Sequence, residues 1–113
     1  MTKLETVYNG LKRVNPFDIV AYDTNLESPF FTFVLVATVD SARQASQAIE
    51  YIKEELDKEG YGIKSYEGFG SEWVLIDGND FLIHIMTPSE RERIGIDKLY
   101  INTEKLDLTN IVK

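Results

Sequence analysis

Cysteine is absent from this 113-residue chain, and histidine and tryptophan occur once each. Without thiols there are no disulfides, thiolate zinc ligands or cysteine nucleophiles. That absence suits a reducing cytosol. One histidine, His84, excludes any multi-histidine metal site, and a lone histidine in an apolar strand is more often a packed residue than an acid–base group. Long apolar runs are missing too. Nothing approaches the ~20 residues of a membrane span, and residues 1–13 carry no apolar run of signal-peptide length. The expectation is a soluble, cytoplasmic protein with no membrane contact. Basic residues are the minority, 12 against 19 acidic, for a formal charge of −7. Nucleic-acid binders draw most of their affinity from cationic contacts to phosphate, so direct nucleic-acid binding is not expected as the main activity. An acidic surface suits a basic protein partner, whose approach it accelerates.

What is present is globular. Apolar residues make up 43% of the chain and aromatic residues 12%, enough for one core and one domain over residues 1–113. Leu4, Val7, Tyr8, Leu11 and Val14 recur at helical spacing behind a Thr2/Glu5 capping box, and Asn15-Pro16 ends that helix. Phe17 to Tyr22 reads as a strand and Asp23 to Pro29 as a loop. Phe30 to Thr38 is almost continuously apolar, the pattern of a strand covered on both faces. Ser41 opens the clearest helix, with Gln44 in the capping position, a buried stripe of Ala45, Ile49, Ile52 and Leu56, and Gly60 at its end. A strand over Gly62 to Glu67 then completes a βαβ-like unit. Pro88 starts a short helix over Ser89 to Arg93, and Ile96 to Ile101 forms a further element. The tail, Asn102 to Lys113, has weak periodicity.

Between them, Glu72 to Met86 reads as a hairpin turning at Gly78-Asn79. That turn pairs Ile76 with Phe81 and Val74 with Ile83 on one wholly apolar side, which must meet the core. On the other side it pairs Trp73 with His84 and Leu75 with Leu82, beside Met86. Tryptophan and methionine are enriched at protein interfaces, so Trp73, Leu75, His84 and Met86 are candidate partner-binding residues. Arg91 is the candidate polar rim and Tyr66 a further contact.

Catalytic chemistry is harder to build. Asp77 and Asp80 flank the turn, where short polar side chains satisfy local backbone groups. Gly68-Phe69-Gly70-Ser71 leads into a strand instead of a helix N-terminus and lacks a following lysine, so it is a connection and not a phosphate cradle. No acidic pair alternates along a strand to hold Mg²⁺. No enzyme activity, metal or cofactor is expected.

Asp18-Ile19-Val20, Ser41-Ala42-Arg43-Gln44 with Ala48-Ile49, and the block Glu67-Gly68-Phe69-Gly70-Ser71-Glu72-Trp73-Val74-Leu75-Ile76-Asp77 followed by Leu82-Ile83-His84-Ile85-Met86 resemble the ribosomal silencing factor (Iojap-like) family. Arg91-Glu92 and Asp97-Lys98-Leu99 continue the match, which spans about positions 16 to 101. The sequence departs from the family pattern at Thr32, Val39, Ile94 and Tyr100. The resemblance implies an α/β fold with a mixed β-sheet of about five strands and flanking helices, distantly nucleotidyltransferase-like but without those catalytic residues. It also implies binding to the large ribosomal subunit through its protein number fourteen. Docked there, the factor blocks small-subunit joining sterically and represses translation. It further implies a role in large-subunit assembly for some members and a homodimer when free. Two alternatives stand beside it: a nucleotide-binding or nucleotidyltransferase-like protein, and a dimeric interaction module with a non-ribosomal partner.

Overall fold

The computed structural model describes residues 1–25, 28–109 and 111. Parts of the loop expected over Asp23 to Pro29 and of the tail over Asn102 to Lys113 lie outside the described residues. Helix α1 spans Lys3–Leu11 and opens on the expected capping box: the Thr2 hydroxyl accepts from the Glu5 N–H, and the Glu5 carboxylate accepts from the Thr2 N–H. A 3₁₀ segment, Lys12–Val14, continues it to Asn15, which takes a left-handed conformation and ends the run. Strands β1 (Phe17–Asp23) and β2 (Phe33–Thr38) follow, then α2 (Ala42–Lys58), β3 (Ser65–Glu67), β4 (Trp73–Asp77), β5 (Phe81–Met86), α3 (Pro88–Ile94) and a 3₁₀ segment over Ile96–Tyr100. At the start of α2 the Ser41 hydroxyl accepts from the Gln44 N–H, while the Gln44 side chain reaches back to the N–H of Asp40.

The five strands form one mixed sheet in the order β1-β2-β5-β4-β3. Only β2 and β5 run parallel as neighbours. Both β5 and β4 therefore intervene between β2 and β3, so the expected strand-helix-strand unit spans the sheet instead of joining adjacent strands. All six residues of β2 are buried, as its unbroken apolar pattern requires. The strand is shorter than the apolar run: Phe30 lies outside it and is largely exposed. The Ser28 hydroxyl accepts from the N–H groups of Phe30 and Phe31, which commits that segment to a turn.

Alternation along the strands divides the core in two. Phe33, Leu35, Val74, Ile76, Phe81, Ile83 and Ile85 face α1 and α2, packing against Val7, Leu11, Ile49, Ile52 and Leu56. The apolar side of the hairpin meets this core, as its composition demands. Tyr22, Val34, Val36 and Met86 point the other way, where Ile94, Ile96 and Tyr100 cover them. Residues 88–101 thus shield the β1-β2-β5 part of the second face, and Trp73 and Leu75 on β4 remain half-buried.

The hairpin register corrects the sequence reading. Trp73 pairs with Met86, Leu75 with His84, Ile76 with Ile83 and Asp77 with Leu82. Trp73 is not the direct cross-strand partner of His84, nor Leu75 of Leu82. The turn falls on Asn79-Asp80, and Asn79 takes the positive φ of 80°. Gly78 serves another purpose, since a Cβ there would lie 2.1 Å from Cζ of the Phe81 ring. Because the slip is two residues and the pleat repeats every two, each side chain keeps its face.

Candidate functional site

The site is built on β4, and the loop before it sets its geometry. Gly68 and Gly70 both take positive φ, 85° and 88°. The Ser71 hydroxyl donates to the carbonyls of Gly68 (2.7 Å) and Trp73 (2.9 Å), and the Gly70 N–H donates to the Ser46 hydroxyl on α2 at 2.7 Å. This loop is a connection, as expected. It also tightly fixes the backbone at Trp73, a task its glycine-serine spacing could have signalled.

From that backbone the Trp73 indole lies over the second sheet face. Its Nε1–H donates to Nδ1 of His84 at 3.1 Å, a diagonal contact made possible by the shifted register. The rings are 6.0 Å apart at 32°. His84 is only 6% exposed. Burial pushes its pKa down from 6.5 to about 4, against a weaker opposing pull from the Asp97 carboxylate. The imidazole is therefore neutral near pH 7, with Nδ1 free to accept and the proton on Nε2.

Leu75 and Leu82, both half-buried, continue the apolar surface. Glu67 pairs with Leu75 across β3 and β4, and Ser65 with Asp77, so two carboxylates share the face with Trp73 and Leu75. A shallow cleft of about 220 Å³ lies among Glu67, Gly68, Trp73 and Leu75. Glu72, also exposed, accepts from the Thr87 hydroxyl. The result is an apolar strip with an acidic border.

Three of the six candidate residues, Met86, His84 and Arg91, are not the surface contacts that were expected. Met86 is fully buried under the α3 region and offers no surface to a partner. His84 is buried beneath the Trp73 indole, to which it is hydrogen-bonded. Arg91 is not a rim cation: its guanidinium forks onto Asp97 (Nε 2.9 Å, Nη2 3.1 Å) and donates through Nη1 to the Thr38 hydroxyl at 2.8 Å and to the Asp18 carbonyl. Hydrogen bonds from Arg91 hold the Asp97 carboxyl below its ordinary range, with further help from the Tyr22 hydroxyl and the Arg91 charge. Tyr66 pairs with Ile76, so strand alternation puts it on the opposite face from Trp73. There it is half-exposed and meets the ring of Phe69. Trp73 and Leu75 are partly exposed.

The expected turn chemistry accounts for Asp77, which accepts from the Asn79 N–H at 2.8 Å. It does not account for Asp80, whose carboxylate instead pairs with the distant Lys3 at 2.9 Å. Among the described residues no group of three or more histidines or carboxylates is placed to hold a metal ion, and no helix is long and apolar enough to cross a membrane.

Fold and site together define a small mixed-sheet α/β protein that displays an apolar, acid-bordered strip on one strand. Residues 2–113 match the family model described as "Ribosomal silencing factor during starvation". The chain belongs to the ribosomal silencing factor family, whose members are ribosome-associated regulators of translation. Two relatives named "Ribosomal silencing factor RsfS" are similar over 92 residues. The protein of Chromobacterium violaceum is 34% identical, covering 80% of this chain and 75% of its own length. That of Bacillus subtilis is 30% identical, covering 80% and 78%. A crystal structure of a Chromobacterium violaceum protein superimposes with a TM-score of 0.81 at 29% identity, covering 100% of this chain and 98% of the other. One from Bacillus halodurans gives 0.80 at 25% identity, covering 93% and 96%.

Proposed function

We propose that the protein docks on the large ribosomal subunit through the β4 strip and sterically prevents the small subunit from joining, so repressing translation in the cytoplasm. The partner is protein number fourteen of the large subunit, as the family resemblance implies. The observation that carries the reading is Trp73: a large aromatic on a sheet face that keeps part of its surface exposed, beside Leu75 and Leu82. Anchors of this kind contribute about 2 kcal/mol or more when a partner desolvates them. Glu67, Glu72 and Asp77 suit a basic ribosomal surface and speed encounter with it. Free in solution, the same strip is available to a second copy of the chain, which would compete with the subunit.

The test is sedimentation of the tagged protein with purified large subunits, followed by addition of small subunits. The wild-type protein is expected to migrate with large subunits and to reduce the joined-ribosome peak. Trp73→Ala is expected to bind about thirtyfold more weakly. Migration of the wild-type protein at the top of the gradient, with no loss of joined ribosomes, would refute the reading.

A further inference from the structure

We propose that His84 is a positioning residue for docking: it locks the Trp73 indole in the orientation that the partner receives. The inference rests on the docking role of the β4 strip proposed above. Trp73 and His84 are neither adjacent in sequence nor direct cross-strand partners, yet the indole N–H is aimed at Nδ1 at 3.1 Å. A partly exposed tryptophan otherwise has rotamer freedom at its solvent side, and choosing one orientation on binding costs conformational entropy. His84 removes that choice in advance. Its direct neighbours are Leu75 on β4 and Val36 on β2, so packing fixes the imidazole from both sides. The charged group facing it is Asp97, in the 3₁₀ segment packed over this face, and that carboxylate is already occupied by Arg91 and Tyr22. The imidazole thus spends its Nδ1 lone pair on the indole alone. A leucine or phenylalanine would fill the space at His84 but could not accept the bond. Asparagine could, because its side-chain oxygen occupies nearly the position of Nδ1.

The single tryptophan makes the lock directly observable. Indole N–H hydrogen exchange and tryptophan fluorescence anisotropy would be measured on wild type, His84→Phe and His84→Asn, each folded by circular dichroism. Affinity for large subunits would follow on the same three proteins. Wild type is expected to protect the indole N–H from exchange by about tenfold or more relative to His84→Phe. His84→Phe should bind about tenfold more weakly, with His84→Asn restoring both protection and most of the affinity. Equal indole exchange in wild type and His84→Phe overturns the lock. Protection lost in His84→Phe with unchanged affinity shows a lock without a role in docking, and overturns the proposal as well. Failure of wild type itself to bind subunits is a separate result, and refutes the docking reading instead.

Discussion

Gly68 lies directly against the carbonyl oxygen of Trp73, and a Cβ built on it would stand 2.1 Å from that oxygen. The same glycine has a φ of 85°, where side-chain-bearing residues are strained. Gly68→Ala must therefore move the backbone of β4. We expect a loss of about 2 kcal/mol of stability or more, from overpacking plus strain. Gly70→Ala has the strain without the collision, since nothing lies within 4 Å of its Cβ position. Urea denaturation should rank the two, with Gly68→Ala the less stable, and only Gly68→Ala should shift the tryptophan emission of the folded protein.

Opposite faces of β4 should separate binding from folding. Ile76 is fully buried against the helices, and Ile76→Ala is expected to cost about 2–5 kcal/mol. Leu75, one residue earlier, is half-buried on the face proposed for docking, and Leu75→Ala should cost less than about 2 kcal/mol. Thermal melts combined with subunit sedimentation check the contrast. Ile76→Ala should melt early and still bind when folded, whereas Leu75→Ala should melt near wild type and bind weakly.

His84 imposes a pH window. Its folded pKa, about 4, lies below the ordinary 6.5 because burial opposes the charge. The unfolded chain then binds more protons between those values, so stability is full above pH 6.5 and falls as pH drops toward 4. The full effect is on the order of 3 kcal/mol. Denaturation midpoints at steps from pH 7 to pH 4 should show this slope in wild type and a flatter one in His84→Asn.

Asp97 acts lower on the scale. Its folded pKa is depressed by Arg91, so its contribution is present above the ordinary carboxylate value of 3.8 and is lost as pH falls through the folded value. Asp97→Asn leaves the guanidinium of Arg91 with only its neutral partners, and Arg91 has just 13% of its side chain exposed. The expected cost is about 1–2 kcal/mol, concentrated in residues 88–101 because this clamp ties them to β1 and β2. Hydrogen exchange should speed up in that segment and remain slow in α2.

The helices and the two sheet faces were legible in the sequence because each rests on local chemistry: the Thr2/Glu5 capping box, the α2 stripe, and the alternation through Val74 and Ile76. The turn was not. Gly78-Asn79 has the composition of a two-residue turn, but Gly78 is glycine to admit the Phe81 ring, a tertiary demand invisible along the chain. For the same reason Met86 and Arg91 read as surface residues: only the return of residues 88–101 over the sheet covers one and engages the other. The face that Tyr66 takes was not legible either, because it depends on strand pairing: its partner Ile76 points to the core, so Tyr66 lies opposite Trp73.

The bond from Gly70 to Ser46 has a kinetic consequence. It ties the approach to β4 to α2, and β4 itself has its other side sealed in the core. Trp73 and Leu75 are therefore carried by the rigid body of the protein and not by a loop that must first be caught in the right shape. A partner meeting them needs only to arrive in the correct orientation, so capture should be limited by diffusion and rotational alignment. Changes within the strip would then alter how long a complex persists far more than how often one forms.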